Sequence, residues 1–275
     1  MDIRTVLAIF HSESDTPRLL DFALPFAGRH QAHLIGLHAE ALPVVLATPM
    51  EGPFLAVTND MEQEAADRHA RLRDMVEERA RAEGVSLEWR GFDSISGDSA
   101  VSGIDSARSS DIVLVLQNDP NSVASADLET LLFHSGRPVL FVPYNYSGQG
   151  TPFRKAIIAW NGSKESARAA FDALPLLKEA GTVEILTIDA PEGSGGKDGT
   201  AIATALARHG VDVTVVARQS GKTAEADALS TTIMESGADL LVMGAFGRSR
   251  LAEFVFGGMT RNVLQSMTVP TLMSR

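Results

Sequence analysis

Cysteine is absent from the 275 residues, which excludes disulfides, thiolate metal sites and a cysteine nucleophile and is compatible with a reducing cytoplasm. A secretory leader is missing as well: the first apolar run, Val6 to Phe10, stops at His11 and is too short and too weakly basic to serve as one. The most apolar segment without helical periodicity, Ala41 to Val57, is interrupted by Pro43, Pro49, Glu51 and Pro53. It therefore lacks the run of about 20 apolar residues that a membrane-spanning helix needs. The expectation is a soluble, cytoplasmic protein.

An excess of positive charge is also lacking. The chain has 24 Lys+Arg against 35 Asp+Glu, a formal net charge of -11. Residues 151–275 hold 13 of each sign and residues 1–150 hold 11 basic and 22 acidic groups, so the whole excess lies in the first half. An acidic half repels phosphate backbones and anionic lipid, which argues against nucleic acid and membrane surfaces as partners. The neutral half is the better host for an anionic ligand.

What is present is a repeat. Arg4-Thr-Val-Leu-Ala-Ile-Phe10 has the pattern of Arg154-Lys-Ala-Ile-Ile-Ala-Trp160, and each is followed by a polar turn and a helix containing Ala-Leu-Pro, at Ala23–Pro25 and Ala173–Pro175. Ser110 to Leu116 echoes Ala238 to Gly244, and Pro138 to Val142 echoes Pro270 to Ser274. The two copies meet in a Gly-, Pro- and Ser-rich stretch from Tyr144 to Pro152, read as a linker. The expected domains are 1–146 and 153–275, close to the roughly 100–200 residues of an ordinary domain.

Within each copy, short β-branched runs alternate with helical patterns, which predicts βαβ units and a parallel sheet covered on both faces. In the second copy the strands are expected at Ala156–Trp160, Val183–Asp189, Val211–Ala217, Leu240–Gly244 and Val269–Met273. The fold class is α/β: two tandem doubly wound domains, each with a five-stranded, mainly parallel sheet. Ligands of such sheets bind beyond the C-terminal strand ends, where the strand order reverses.

At that end of the second copy stands Gly244-x2-Gly247-x9-Gly257, followed by Gly258-Met259-Thr260 and a helix running to about Met267. Glycines admit an anion close to the backbone, and the amides of a helix N-terminus donate to it. Arg248, Arg250 and Arg261 flank the loop. Coming after a Leu-Leu-Val-Met strand and before a Val-Pro strand, this spacing resembles the nucleotide loop of ATP-binding universal stress proteins, and the similarity extends over both halves.

The resemblance implies an adenine nucleotide, ATP with or without magnesium, bound in the second half. It assigns Gly244, Gly247, Gly257 and Thr260 to phosphate, Asn161 to ribose and the main chain of Ile188 to adenine. Met243, Arg248, Gly258 and Met259 complete the set of nucleotide-binding residues. Two positions depart from the family pattern: Gly258 stands where a Ser or Thr is usual, and Asn161 where an Asp is usual. The resemblance also implies that the halves form an intramolecular pseudo-dimer through their last strands, with a homodimer and an unidentified protein partner left open.

In the first copy the matching segment reads Leu116-Gln-Asn-Asp119, with Leu116 in place of Gly244 and Asp119 in place of Gly247. A carboxylate there repels phosphate, so the first half is read as a partner or scaffold. Other signals fail. Gly221-Lys222-Thr223 lacks the first glycine of a P-loop, since Val216 stands there. His30, His33 and His38 span a helix end and a strand rather than a metal set. Gly193 to Gly199 reads as a surface loop without a firm helix after it, and Gln63 to Arg81 as a solvated helix.

No nucleophile, general base or metal cluster accompanies the glycine loop. The reading is a stress-response regulator that binds a nucleotide, with at most slow ATP hydrolysis. The alternatives are a scaffold or small-molecule carrier using Leu42 to Val57, and an adenylyl-transferring enzyme.

Overall fold

The computed structural model describes residues 2–41, 53–122, 125–148, 152–190, 196–221, 224–247 and 258–275, without the side chains of residues 53–59. Arg248, Arg250, Gly257, Lys222, Thr223, Gly193 and most of the Leu42–Val57 segment lie outside the described residues.

Among the described residues, ten strands form one sheet. The first half contributes β1 (Thr5–Ile9), β2 (His33–Ala41), β3 (Leu87–Ser94), β4 (Ile112–Leu116) and β5 (Val139–Val142). The second contributes β6 (Lys155–Ala159), β7 (Thr182–Ile188), β8 (Val213–Arg218), β9 (Leu240–Gly244) and β10 (Thr271–Ser274). Their order is β3-β2-β1-β4-β5-β10-β9-β6-β7-β8. All neighbours are parallel except β5 and β10, which run antiparallel with Leu140 opposite Leu272.

The reason lies in the strand sequences. β4 reads Ile-Val-Leu-Val-Leu and is buried at every residue, as a parallel strand covered by helices on both faces should be. Along β1 and its end, Val6, Ala8 and Phe10 face one core, with α1 (Thr16–His30) and α2 (Pro53–Ala82) above it. Leu7 and Ile9 face the other, which includes residues of α5 (Leu128–His134), α9 (Glu225–Ser236) and α10 (Met259–Ser266). Both cores run through the two halves.

The expected elements are present with shifted ends. α2 begins at Pro53, ten residues before Gln63, because proline is tolerated in a first helical turn, where its missing N–H has no partner to lose. The expectation that no helix follows Gly193–Gly199 is corrected: α8 (Thr200–Arg208) starts directly after Gly199, its N-cap at φ 80°. Among the described residues no helix is long and apolar enough to cross a membrane.

The seam between the halves is more than a strand pair. Gln117, buried just beyond β4, donates from Nε2 to the carbonyl of Leu264 in α10 at 3.0 Å. Arg261 makes a two-point contact with Glu129 of α5 at 2.9 and 3.0 Å, and Arg29 meets Glu179 at 2.6 Å.

Candidate functional site

In the second half the strand order reverses between β6 and β9: the chain passes from β6 to β7 and β8, then returns to the other side of β6. The crevice at that point is where a doubly wound sheet receives ligands. Asn161 follows β6, is exposed, and accepts the N–H of Ser163 on Oδ1 at 3.0 Å. Gly244 ends β9, with Met243 buried before it. Ile188 ends β7, on the far side of β6 from β9, and is half-buried.

The glycines serve different ends. A Cβ on Gly244 would collide with the main-chain N of Ser166 and lie 2.5 Å from the carbonyl carbon of Glu165. This glycine lets β9 and the first turn of α6 (Lys164–Asp172) approach, so a side chain there disturbs packing before it disturbs a ligand. Gly247 is exposed, and the nearest described atoms to its Cβ would be Glu165 Oε2 and Ser163 Oγ at 3.4 Å and Ser163 Cβ at 3.7 Å. It has room for a small side chain.

Between them Phe246 holds a left-handed φ of 53°. This conformation is costly for a bulky residue, and the surroundings hold it: Ala245 donates to Ser274 O at 2.9 Å and Phe246 N–H to Thr260 Oγ1 at 3.0 Å. Thr260 is 2% exposed. Its oxygen braces the loop, a role that the spacing did not indicate. The helix behind it, α10, has Gly258 as N-cap, which brings no side chain of its own to its first turn. Met259 opens this helix, half-buried.

Three groups at the crevice were not anticipated. The indole N–H of Trp160 donates to Gly196 O at 2.8 Å, which draws part of the glycine-rich loop across the end of β6. Asp189, at φ 52°, accepts both the hydroxyl and the amide of Ser220, and these bonds hold its carboxyl below the usual range. Glu165 is buried on the first turn of α6, with Lys164 Nζ 3.6 Å from its carboxylate. The Asn-Gly-Ser turn before an alanine-rich helix was the available signal for Ser163 as N-cap. Nothing local marked Glu165. No group of three or more His, Cys, Asp or Glu able to hold a metal occurs among the described residues.

The same place in the first half is filled by its own side chains. Asp127 caps α5, accepting the N–H of Thr130 at 2.8 Å, and its own amide donates to Asp98 at 2.8 Å. Asp98 also accepts Ala100 N–H and Val101 N–H at the start of α3 (Ser99–Ser102). Asn118 bonds both the N–H and the C=O of Ala126 at 2.9 Å, and Asp119 accepts Asn121 N–H at 2.8 Å. After β1, where the second half has Asn161, stands His11. Both of its ring nitrogens are buried without a partner among the described residues, and burial pushes its pKa down to about 4.

Residues 196–275 match the family model of the universal stress protein family. No curated protein matches the chain. Among solved structures, a universal stress protein from Archaeoglobus fulgidus is similar over 99% of this chain and 96% of its own, at 16% identity and TM-score 0.72. A putative universal stress protein from Pseudomonas aeruginosa covers 99% of this chain and 93% of its own, at 17% identity and TM-score 0.58. A universal stress protein in complex with cAMP matches over 46% of this chain and 99% of its own, at 20% identity and TM-score 0.36.

Proposed function

We propose that this chain, which carries a universal stress protein match in its C-terminal half and that family's fold throughout, is a stress-response regulator. It binds ATP or another adenine nucleotide in its second half and uses the first as a built-in partner. One observation carries this reading. Of the two equivalent helix N-termini, α10 starts at Gly258, which has no side chain to cap it, while α5 starts at Asp127, whose carboxylate caps it and whose amide meets Asp98. A bare N-terminus attracts an anion, and one capped by carboxylates repels it.

In this reading the backbone of Gly244 to Gly247 and the first turn of α10 hold the phosphates, with Arg248, Gly257 and Thr260 completing that wall. Asn161 meets the ribose and the main chain of Ile188 the adenine, while Met243 and Met259 back the site. ATP enters with or without magnesium. The residues support binding, and turnover is at most slow.

The test uses Gly247→Val, because a Cβ at that position would meet its nearest neighbours at 3.4 Å, an ordinary contact distance. Titration calorimetry should show ATP binding by the parent and none by the variant, with the urea midpoints of the two proteins equal. A parent that takes no ATP, or a variant that binds it equally well, overturns the proposal. The scaffold reading would then stand, and one feature already favours it: Gly244 and Thr260 both have internal duties in packing and loop bracing.

A further inference from the structure

A cleft of about 500 Å³ opens where the halves meet, bounded by the end of α5 and the residues before β5 on one side, and by the first turns of α6 with Arg275 on the other. That volume is within the range of small-molecule sites. The walls carry four cations, Arg137, Lys164, Arg168 and Arg275, against one carboxylate, Glu165.

The cations are committed to different degrees. Arg168 donates to Gly136 O at 2.7 Å and Arg275 O at 2.6 Å and approaches Asp172 at 3.6 Å, so it ties the walls together. The Arg275 guanidinium lies 3.1 Å over the Phe133 ring. Lys164 is 92% exposed, with Glu165 as its ion-pair partner at 3.6 Å. The side chain of Arg137 has no hydrogen bond or ion pair among the described residues. An unspent guanidinium in a preformed cleft of net positive charge suits a carboxylate or phosphate, which it can bind at two points.

We infer that this inter-half cleft is a second ligand site, for a small organic anion held by Arg137 and Lys164. It does not depend on the nucleotide reading, since none of its cations belongs to the glycine loop. The two places are nonetheless neighbours: Glu165 lines the cleft and its Oε2 is 3.4 Å from where a Cβ on Gly247 would stand. The rings of Phe133 and Phe246 are 5.5 Å apart.

The test is calorimetric titration of the full chain at low ionic strength with citrate and with glycerol phosphate, using glycerol as the uncharged control. Saturable binding of at least one anion and none of glycerol is expected. Substituting Arg137→Gln and Lys164→Gln together should weaken it by about ten- to hundredfold, the effect of losing charge-assisted hydrogen bonds. Arg137→Lys should keep most of the affinity, and the double variant should retain the parent's response to ATP. No saturable anion binding by the parent, or equal binding by the double variant, would sink the inference. So would anion binding that saturating ATP displaces while the double variant binds as before, because that would put the anion in the glycine loop.

Discussion

The two halves share a strand order and differ at the point where it reverses. In the second half, β9 ends in Gly244 and the following helix begins at an uncapped Gly258. In the first, β4 ends in the buried Leu116, and Gln117, Asn118 and Asp119 turn inward to the seam, to Ala126 and to Asn121. One backbone plan thus yields a closed strut in the first half and, in the function proposed above, an anion seat in the second. The residue at the N-cap decides which, because the Asp127 carboxylate accepts a first-turn amide and Gly258 has no side chain to do so.

The sharpest way to break this comparison is to write the first half's solution into the second. Gly258→Asp copies Asp127 and should abolish ATP binding in titration calorimetry while raising or preserving the urea midpoint. Gly258 has φ -62°, which any residue can adopt. Undiminished affinity would mean that the N-terminus of α10 is not the phosphate seat.

The packing contrast comes next. Leu116 is 3% exposed, so Leu116→Ala should cost about 2–5 kcal/mol in urea unfolding. Gly244→Ala should cost about 1–3 kcal/mol, since the added methyl meets the backbone of α6. A neutral Gly244→Ala would return that glycine to a purely ligand-binding role.

Acid should separate the halves as well, because His11 titrates where Asn161 does not. Its folded pKa of about 4 is below the ordinary 6.5, so between those values the unfolded chain takes up a proton that the folded one refuses. Stability is fully present above pH 6.5 and falls toward pH 4, by up to about 3 kcal/mol from this group. His11→Asn should flatten that part of the stability profile, and an unchanged slope would acquit His11. The smallest effect is expected at the seam. A double-mutant cycle on Arg261 and Glu129, both partly exposed, should give a coupling below about 1 kcal/mol. A coupling of several kcal/mol would show that the halves are held by charge rather than by β5 and β10.

Most of the architecture was legible in the chain. The repeated Arg-to-aromatic strand, the β-branched runs and the Gly-x2-Gly spacing depend on local periodicity and on glycine's freedom, both of which are written residue by residue. Less legible were Thr260 bracing Phe246 and the close approach of Gly244 to α6. These are contacts between segments 14 and about 80 residues apart, and spacing alone does not say whether a glycine admits a phosphate or a neighbouring helix.

By itself the sequence determined the α/β class, the doubling, the confinement of negative charge to the first half and the candidate loop, since composition and periodicity act over a few residues at a time. Only the tertiary structure decided that Asp98 and Asp127 close the first crevice, and that Arg137 and Lys164 face one cleft with Glu165. The first depends on α3 packing against α5 within one half, and the second on what the antiparallel pairing of β5 with β10 brings face to face. Both are set by packing, not by position along the chain.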